Sequence, residues 1–296
     1  MIRHIEVCVV AHNEEDFIVS CLESIEVALA NMPESIAFKV HIVNNGSSDS
    51  SESIIDSFCS TRDDFDAKHI RLGDKSNAWN VAIYELVQNS ESLIVVVDGD
   101  CTISADSLVA LLEGAKLNTD AYLLAAIPEP IGRYSESITR NTLNGKALSG
   151  NFYAITPLFY EKIKQTGFML PVGLIGDDSL LAWVAQCDFK LSNGVKNGLM
   201  VGIKGALFGY HRLVPNTFKN IKMYWRRLQR YSLRHIQQNC IKAYLTLEND
   251  DFASLPSHVV ELYRYHRPEH IRTDNRLNTF LDTRTSKQIK TISVEK

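Results

Sequence analysis

Blocks of apolar residues alternate with amphipathic segments along the first half of the chain. Four short, β-branched or apolar blocks predict strands, at 5–11, 38–43, 68–72 and 93–97. Between them, apolar residues recur every three or four positions and predict helices, opening at residues 13–15, after 44–49, and over 77–87. Alternation at this spacing is typical of right-handed βαβ units, so we expect a doubly wound α/β sheet, mixed but mostly parallel.

The pattern becomes less regular after residue 120. It predicts strands at 122–127, 151–155 and 199–208, with helices near 157–164 and 179–186 and a long helix over 216–245. A polar tail follows, which we expect to be loosely ordered from residue 283 onward. We therefore predict one domain over 1–245, with halves 1–120 and 121–245, and a C-terminal helical and polar extension over 246–296.

Polar residues are concentrated where the predicted strands end. The last strand of the first half runs directly into Asp98-Gly99-Asp100. Ligands of doubly wound sheets bind at the carboxyl ends of the strands, and paired carboxylates are hard donors suited to Mg²⁺ or Mn²⁺. Asp98 and Asp100 are thus candidate metal ligands, and the alternative is an ordinary Asp-Gly turn after a strand.

Basic and acidic residues are unevenly distributed along the chain. The 296 residues include 31 Lys and Arg against 35 Asp and Glu, a formal charge of −4. Residues 189–247 contain no acidic residue and eleven basic ones, so that segment carries +11 and the remainder −15. Such a segment indicates an anionic partner, and the predicted helix over 216–245 carries much of the positive charge.

Several motifs taken together resemble glycosyltransferase family 2. The resemblance covers roughly residues 4–235 and rests on motifs in the family's order: Val9-Val10-Ala11-His12-Asn13-Glu14-Glu15, Val43-Asn44-Asn45-Gly46-Ser47-Ser48-Asp49, Lys75-Ser76-Asn77-Ala78-Trp79-Asn80, Val96-Val97-Asp98-Gly99-Asp100 and Gly176-Asp177-Asp178. It implies the GT-A fold, a nucleoside-diphosphate-sugar donor and inversion at the anomeric carbon.

The resemblance also assigns residues to the donor. It implies donor contacts for a set of residues at the strand ends and on the basic helix: Ala11, Asn13, Glu14, Asn44, Asn45, Lys75, Asp98, Gly99, Arg227 and Arg230. Asn44 departs from the family, which usually has Asp where the base is bound. A UDP-sugar is the favoured donor. Because an amide both donates and accepts hydrogen bonds, however, Asn44 specifies the base of the donor less strictly than the usual Asp.

The remaining implied roles concern catalysis and the metal. Asp177-Asp178 looks like the family's acidic pair, with Asp178 as general base, and helix capping is the alternative role. His211 falls where many GT-A enzymes supply a further metal ligand, and an imidazole would favour Mn²⁺ over Mg²⁺. A lone histidine is, however, more often structural.

The basic helix over 216–245 leaves three interpretations open. It could bind the donor diphosphate or an anionic acceptor, such as a saccharide or a lipid-linked saccharide; contact an anionic membrane surface; or form a solvated face. Alternatives to the transferase as a whole are a sugar-1-phosphate nucleotidyltransferase and a non-catalytic module whose basic helix binds membrane or nucleic acid. Nucleic acid is the less expected partner.

Missing motifs narrow the choice further. The chain has no G-x-G-x-x-G after its first strand, no phosphate-binding G-x-x-x-x-G-K-[ST] and no G-x-S-x-G, which argues against dinucleotide oxidoreductases, P-loop NTPases and α/β-hydrolases. The six cysteines lack C-x-x-C spacing and predict buried free thiols, not zinc ligands. No apolar run is long enough to span a bilayer, so we expect a cytoplasmic protein, peripheral at most to the inner face of a membrane.

Overall fold

A mixed sheet forms the centre of the protein, as seen in a computed structural model that describes residues 2–129, 135–210 and 217–294. Within these residues the sheet has eight strands, in the order β3-β2-β1-β4-β7-β6-β8-β5. The strands are β1 His4–Ala11, β2 Ala37–Asn45, β3 Phe65–Ile70, β4 Leu93–Asp98, β5 Cys101–Ile103, β6 Leu123–Pro128, β7 Phe152–Ile155 and β8 Met200–Tyr210.

The first half of the sheet is parallel and the second half is mixed, since β6 pairs in parallel with β8. β1 pairs in parallel with β2 and β4, and β2 pairs in parallel with β3. β7 runs antiparallel to both β4 and β6, and β5 runs antiparallel to β8. The predicted doubly wound α/β sheet of mixed direction is confirmed, and the direction changes beside β4, which ends at Asp98.

Helices cover both faces of this sheet, which explains why its central strands are apolar throughout. One core packs Ile18 and Leu22 against Leu111, and the other gathers Trp79, Phe159 and Leu181 on the opposite face. The helices are α1 Ile18–Ala30, α2 Ser51–Cys59, α3 Lys75–Val81, α4 Ser107–Leu117, α5 Ser135–Leu143, α6 Pro157–Thr166, α7 Asp177–Gln186, α8 Phe218–Leu247 and α9 Arg276–Val294.

Two element boundaries differ from the sequence prediction near the strand ends. The helix expected to open at residues 13–15 begins at Ile18, because Asn13 has a left-handed backbone (φ 57°) and the Glu14 carbonyl accepts the N–H groups of Phe17 and Ile18 in a preceding turn. The helix expected over 77–87 is α for Lys75–Val81 and continues as one π turn, Ala82–Leu86. The first difference lies at the strand-end edge. The π turn lies toward the other end of β1, since the N–H of Gln88 just after it donates to Glu6.

The expectation of a loose tail after residue 283 was wrong. α9 extends to Val294, and Leu281 and Ile289 are buried against the rest of the protein. Asp282 is fully buried and accepts hydrogen bonds from Arg272 and Ser232. The two apolar contacts are eight residues apart, too sparse for the sequence pattern to reveal, whereas tertiary packing on α8 holds the helix in place.

The long helix α8 has two unlike halves. Apolar residues at helical spacing form one stripe along α8, at Phe218, Ile221, Trp225, Leu228 and Ile236. Of these, Ile236 is fully buried, whereas Ile221 and Trp225 are 53% and 37% exposed; the Phe218 side chain lies outside the description. Among its described side chains, the stripe is therefore fully buried only in the second half of the helix. Among the helices in the described ranges, none combines the length and the apolar character needed to cross a membrane.

Candidate active site

Three parallel strands bring the predicted motifs to one edge of the sheet. Ala11 at the end of β1 lies opposite Asn44 of β2, and Val10 lies opposite Asp98 of β4. Their carboxyl ends therefore meet, as the Asx-rich sequence after each strand predicts. The loops that follow these strands form the floor of the candidate site.

The loop after β1 is tied to the loop after β2. The Asn13 side-chain oxygen accepts the Ser48 N–H at 2.7 Å, and the Asn13 N–H donates to Ser47 Oγ at 2.9 Å. The Glu14 N–H donates to Ser51 Oγ at 2.8 Å. Asn13 and Glu14 thus fix the relative position of two loops whose motifs lie more than 30 residues apart in sequence.

The two asparagines after β2 have different surroundings. Asn45 Oδ1 accepts the Asp74 N–H at 2.9 Å and so fixes the start of α3. Asn44 Nδ2 lies 3.1 Å from His69 Nδ1, while the buried Asn44 Oδ1 has no hydrogen-bond partner within the described residues. An unsatisfied buried acceptor costs free energy, so Asn44 has spare capacity to accept a hydrogen bond from a ligand.

Gly99 lets β4 end directly beside β1. A side chain on Gly99 would place its Cβ 2.8 Å from the Cβ of Ala11, and the Gly99 N–H donates to the Val10 carbonyl at 2.9 Å. Ala11 itself is fully buried. In this conformation both residues set the spacing of the edge, and their contact with a donor stays a prediction.

Lys75 joins the two acidic motifs. Its ammonium lies 2.7 Å from Oδ1 and 2.9 Å from Oδ2 of Asp98, and 3.7 Å from Oδ2 of Asp177. It also donates to the Gly150 carbonyl at 3.2 Å. The carboxylates after β4 and at the start of α7, 79 positions apart in sequence, therefore face one cation.

Asp178 is paired with a residue that the sequence motifs did not single out. Arg234 of α8 places a guanidinium nitrogen 3.1 Å from Asp178 Oδ1 and donates to the Ser179 hydroxyl. Gly176 makes this possible, because it has φ +96° and a Cβ there would lie 2.5 Å from Arg234 Nε. The sequence indicated this residue only by its position, since Arg234 lies one helical turn after Arg230 on the basic helix.

Burial and mutual repulsion disturb the carboxyl groups at this edge. Burial, together with the charges of Asp100 and Asp98, raises the pKa of Glu14 to about 8. Burial raises the pKa of Asp98 to about 6 although Lys75 opposes it. Burial and the charge of Asp177 also raise the pKa of Asp178 above its ordinary value, against the effect of Arg234. Strongly shifted carboxyl groups in one cleft are typical of functional sites.

The site has features that suit a divalent cation. Asp98 Oδ1 and Asp177 Oδ2 are buried and receive no aligned hydrogen bond within the described residues, although both face Lys75. Asp100, the other predicted carboxylate ligand, accepts a hydrogen bond from the Cys101 thiol, with 3.3 Å between Sγ and Oδ1. Oxygen-rich, electron-rich surroundings fit Mg²⁺ or Mn²⁺. The third predicted ligand, His211, lies outside the described residues.

The predicted donor residues Arg227 and Arg230 are not part of this cluster of contacts. Both are exposed on the first half of α8. With a rise of about 1.5 Å per residue, Arg230 lies about 6 Å and Arg227 about 10 Å along the helix from Arg234. They therefore extend the positive face of α8 from Arg234 toward the start of the helix.

Comparison with solved structures supports the fold. A mannosyltransferase, PcManGT from Pyrobaculum calidifontis in complex with GDP-Man and Mn²⁺, is 17% identical over 99% of this chain and 83% of that one, with a TM-score of 0.59. TarS from S. aureus with UDP-GlcNAc is 12% identical over 99% and 91%, with a TM-score of 0.53. GalNAc-T7 with UDP, GalNAc and Mn²⁺ is 11% identical over 90% and 55%, with a TM-score of 0.52.

The amino-acid sequence gives an independent result. No curated protein matches this chain significantly. The family model described as "Glycosyl transferase family 2" matches residues 6–168, more than half of the chain, and includes the strand-end motifs up to Asp98 and Asp100. With the fold shared by GT-A glycosyltransferases, this match establishes the class of enzyme: the chain belongs to glycosyl transferase family 2 and is a glycosyltransferase.

Proposed function

We propose that this glycosyltransferase moves a sugar from a nucleoside-diphosphate sugar to an acceptor hydroxyl with inversion, using Asp178 as the general base. The observation that carries the proposal is the contact of Lys75 with both Asp98 and Asp177. It brings the predicted donor-side motif and the predicted acceptor-side motif to one cleft. That juxtaposition is what a single displacement requires.

Asp178 has the surroundings that a base needs. It lies in the first turn of α7, where the helix dipole favours the ionised carboxylate, and Arg234 stabilises the same form. Burial opposes both effects and raises its pKa. A carboxylate that burial makes more basic, and whose ionised form Arg234 stabilises, is well suited to accept a hydroxyl proton in the transition state.

The proposed reaction is a single displacement at the anomeric carbon, with Asp178 accepting the proton. The acceptor oxygen forms a bond to the anomeric carbon as the bond from that carbon to the diphosphate oxygen breaks. The acceptor proton passes to Asp178, and the nucleoside diphosphate leaves with the electron pair. Lys75 and Arg234 hold Asp98, Asp177 and Asp178 in place, which reduces the cost of reorganising the site.

A divalent cation is the proposed cofactor, with Asp98 and Asp100 as its carboxylate ligands and His211 as a further candidate. Mn²⁺ accompanies the nucleotide in two of the similar structures, which supports this choice. When bound, the cation would neutralise negative charge on the leaving diphosphate. Because Asp98 is paired with Lys75, Asp98 must exchange or share that partner to bind the cation.

For the donor we favour a UDP-sugar, with Asn44 as a contact to the base. The free acceptor on Asn44 Oδ1 would accept an N–H of uracil, although guanine also offers such groups. The similar structures include both GDP-Man and UDP-GlcNAc. Thermal unfolding with UDP, GDP and their sugars, each with and without Mn²⁺, tests this choice, since only a true ligand raises the midpoint.

For the acceptor we propose a saccharide or lipid-linked saccharide that reaches Asp178 along the exposed half of α8. Lys222, Arg226, Arg227 and Arg230 line this half, together with the exposed Trp225. Basic residues interleaved with aromatic ones fit a phosphate-bearing acceptor and peripheral contact with an anionic membrane.

The base assignment is tested by Asp178→Asn. Donor-dependent stabilisation should persist, whereas transfer should fall by about 10² to 10⁴-fold, the usual contribution of general base catalysis. Asp188→Asn is the matched control, because Asp188 lies just beyond the other end of α7 and is likewise paired with cations, Lys162 and Lys196. Near-normal turnover by Asp178→Asn would show that another group accepts the proton.

A further inference from the structure

A second group of metal-binding side chains lies far along the chain from the strand-end motifs. Cys240 of α8, His266 and His270 each place one ligand atom, a sulfur or a ring nitrogen, within 4.8 Å of the others. Cys240 is buried and both histidines are half-buried. It is the one group of three or more such residues found among the described residues. No sequence motif marks this group, because Cys240 and His266 are 26 positions apart.

The spacing of the two imidazoles matches that of ligands on one ion. Nδ1 of His266 lies 3.4 Å from Nδ1 of His270. Two nitrogens bound to tetrahedral zinc at about 2.0 to 2.1 Å are separated by about 3.3 Å. The pair is therefore already at a distance that a metal would impose.

The hydrogen bonds around the histidines leave ring nitrogens suited to coordination. His266 Nε2 lies 2.7 Å from the hydroxyl of Ser286, a buried residue of α9. If Nε2 carries the proton and donates to Ser286, Nδ1 presents its lone pair toward His270. His270 Nδ1 accepts the Arg267 N–H at 3.2 Å, so it too is unprotonated, and coordination of a metal would replace this hydrogen bond. An outer hydrogen bond of this kind orients metal-binding histidines.

Zinc binds to the thiolate form of cysteine and to the neutral form of histidine. The thiol must lose its proton, so binding converts Zn²⁺ and the Cys240 thiol into a zinc–thiolate bond and one proton released to solvent.

We propose that Cys240, His266 and His270 bind a zinc ion, with water at the fourth position, and that this ion fastens residues 259–270 to α8. Ser286 extends the connection to α9. The site is independent of the proposed transfer reaction. Its function is to hold the C-terminal layer, residues 259–294, against α8, the helix that carries Arg234.

The direct test is metal binding by the full chain and two cysteine variants. The wild-type protein should bind Zn²⁺ tightly at one thiolate site, and cobalt in its place should give a thiolate-to-cobalt absorption band. Cys240→Ser should lose that band. Cys187→Ser should keep it, since Cys187 is an equally buried free thiol of the same core. A band that is absent from the wild type, or that survives in Cys240→Ser, overturns the proposal.

Two further measurements exclude simpler explanations. If Cys240→Ser does not fold, zinc should slow alkylation of Cys240 in the wild-type protein by about tenfold or more, and by more than it slows alkylation of Cys187, by mass action on the open form. Equal rates with and without zinc contradict the site. Asp100→Ala should keep the cobalt band, which separates this ion from any cation at the donor site.

Discussion

The strand-end site and the C-terminal layer differ in how completely their buried carboxylates are hydrogen-bonded. At the strand ends, Asp98, Asp177 and Glu14 crowd together, and buried oxygens of Asp98 and Asp177 receive no aligned hydrogen bond within the described residues. In the C-terminal layer, Asp282 is fully buried but receives two hydrogen bonds from the Arg272 guanidinium, one from the Arg272 backbone and one from Ser232.

The strand-end carboxylates are suited to binding a ligand, whereas the buried Asp282 stabilises the fold. A satisfied buried ion pair gains little from any ligand, and removing one partner is costly. A crowded, incompletely bonded group of carboxylates lowers the stability of the free protein and gains when a cation or a cationic group arrives. The comparison predicts that substitutions in the two regions will act on different measured quantities.

The largest effect on stability is expected from Asp282→Ala. It leaves the Arg272 guanidinium without its carboxylate in a partly buried position and should lower the free energy of unfolding by about 3 kcal/mol. Urea unfolding measures it. Because the hydrogen bonds of Arg272 and Ser232 outweigh burial and lower the pKa of Asp282, its contribution should be present above the unfolded pKa and be lost as pH falls through the folded pKa.

The activity of the folded Asp282→Ala fraction sharpens the comparison. It should stay near normal, because Asp282 does not contact the strand-end residues described above. A selective loss of turnover with unchanged stability would mean that the two regions are not distinct.

The next largest effect is expected from Gly176→Ala, which displaces Arg234 from Asp178. The new Cβ would lie 2.5 Å from Arg234 Nε, and the residue would be strained at φ +96°. We expect kcat to fall by about 10 to 100-fold, since small misplacements of a catalytic group have effects of this size. The KM for the donor should change little.

Gly167→Ala is the matched control for the strain at Gly176. Gly167 also has a positive φ, +69°, but nothing lies within 4 Å of its Cβ position. It should lose stability and keep kcat. If both variants lose the same activity, backbone strain alone explains the effect and Arg234 does not position Asp178.

A smaller effect on stability is expected from Glu14→Gln, and it depends on pH. Because the folded pKa of Glu14 is raised to about 8, its contribution to stability is greatest below the unfolded value of about 4.5 and is lost as pH rises toward 8. Glutamine removes this loss, so the variant should have the higher unfolding midpoint at pH 8 in the absence of divalent cations. A pH scan of thermal unfolding measures it, and a wild-type midpoint that rises from pH 5 to 8 relative to the variant contradicts the shift.

The smallest effect is expected from Arg227→Ala combined with Arg230→Ala. Both side chains are exposed, so the unfolding midpoint should change by little more than 1 °C. Sedimentation with vesicles containing anionic lipid should decrease and become less dependent on salt. Lys116→Ala, at an exposed lysine of α4, is the control. Unchanged vesicle binding with reduced donor affinity would assign these arginines to the diphosphate.

The strand-end site shows how much of the function the sequence determined. Continuous apolar strands are typical of a sheet covered on both faces, and their alternation with helices predicted the doubly wound sheet and placed Asn13, Asn44 and Asp98 at its carboxyl edge. These are consequences of local order along the chain. The family match over residues 6–168 follows from the same motifs.

Only tertiary structure decided which distant residues meet. The Arg234–Asp178 pair joins positions 56 residues apart, and Cys240 meets His266 and His270 through the packing of α8 against the C-terminal segment. α9 likewise forms because α8 covers its few apolar residues, which would not hold an isolated helix together. Periodicity reports which residues share a face of one element, whereas contacts between elements depend on how those faces pack.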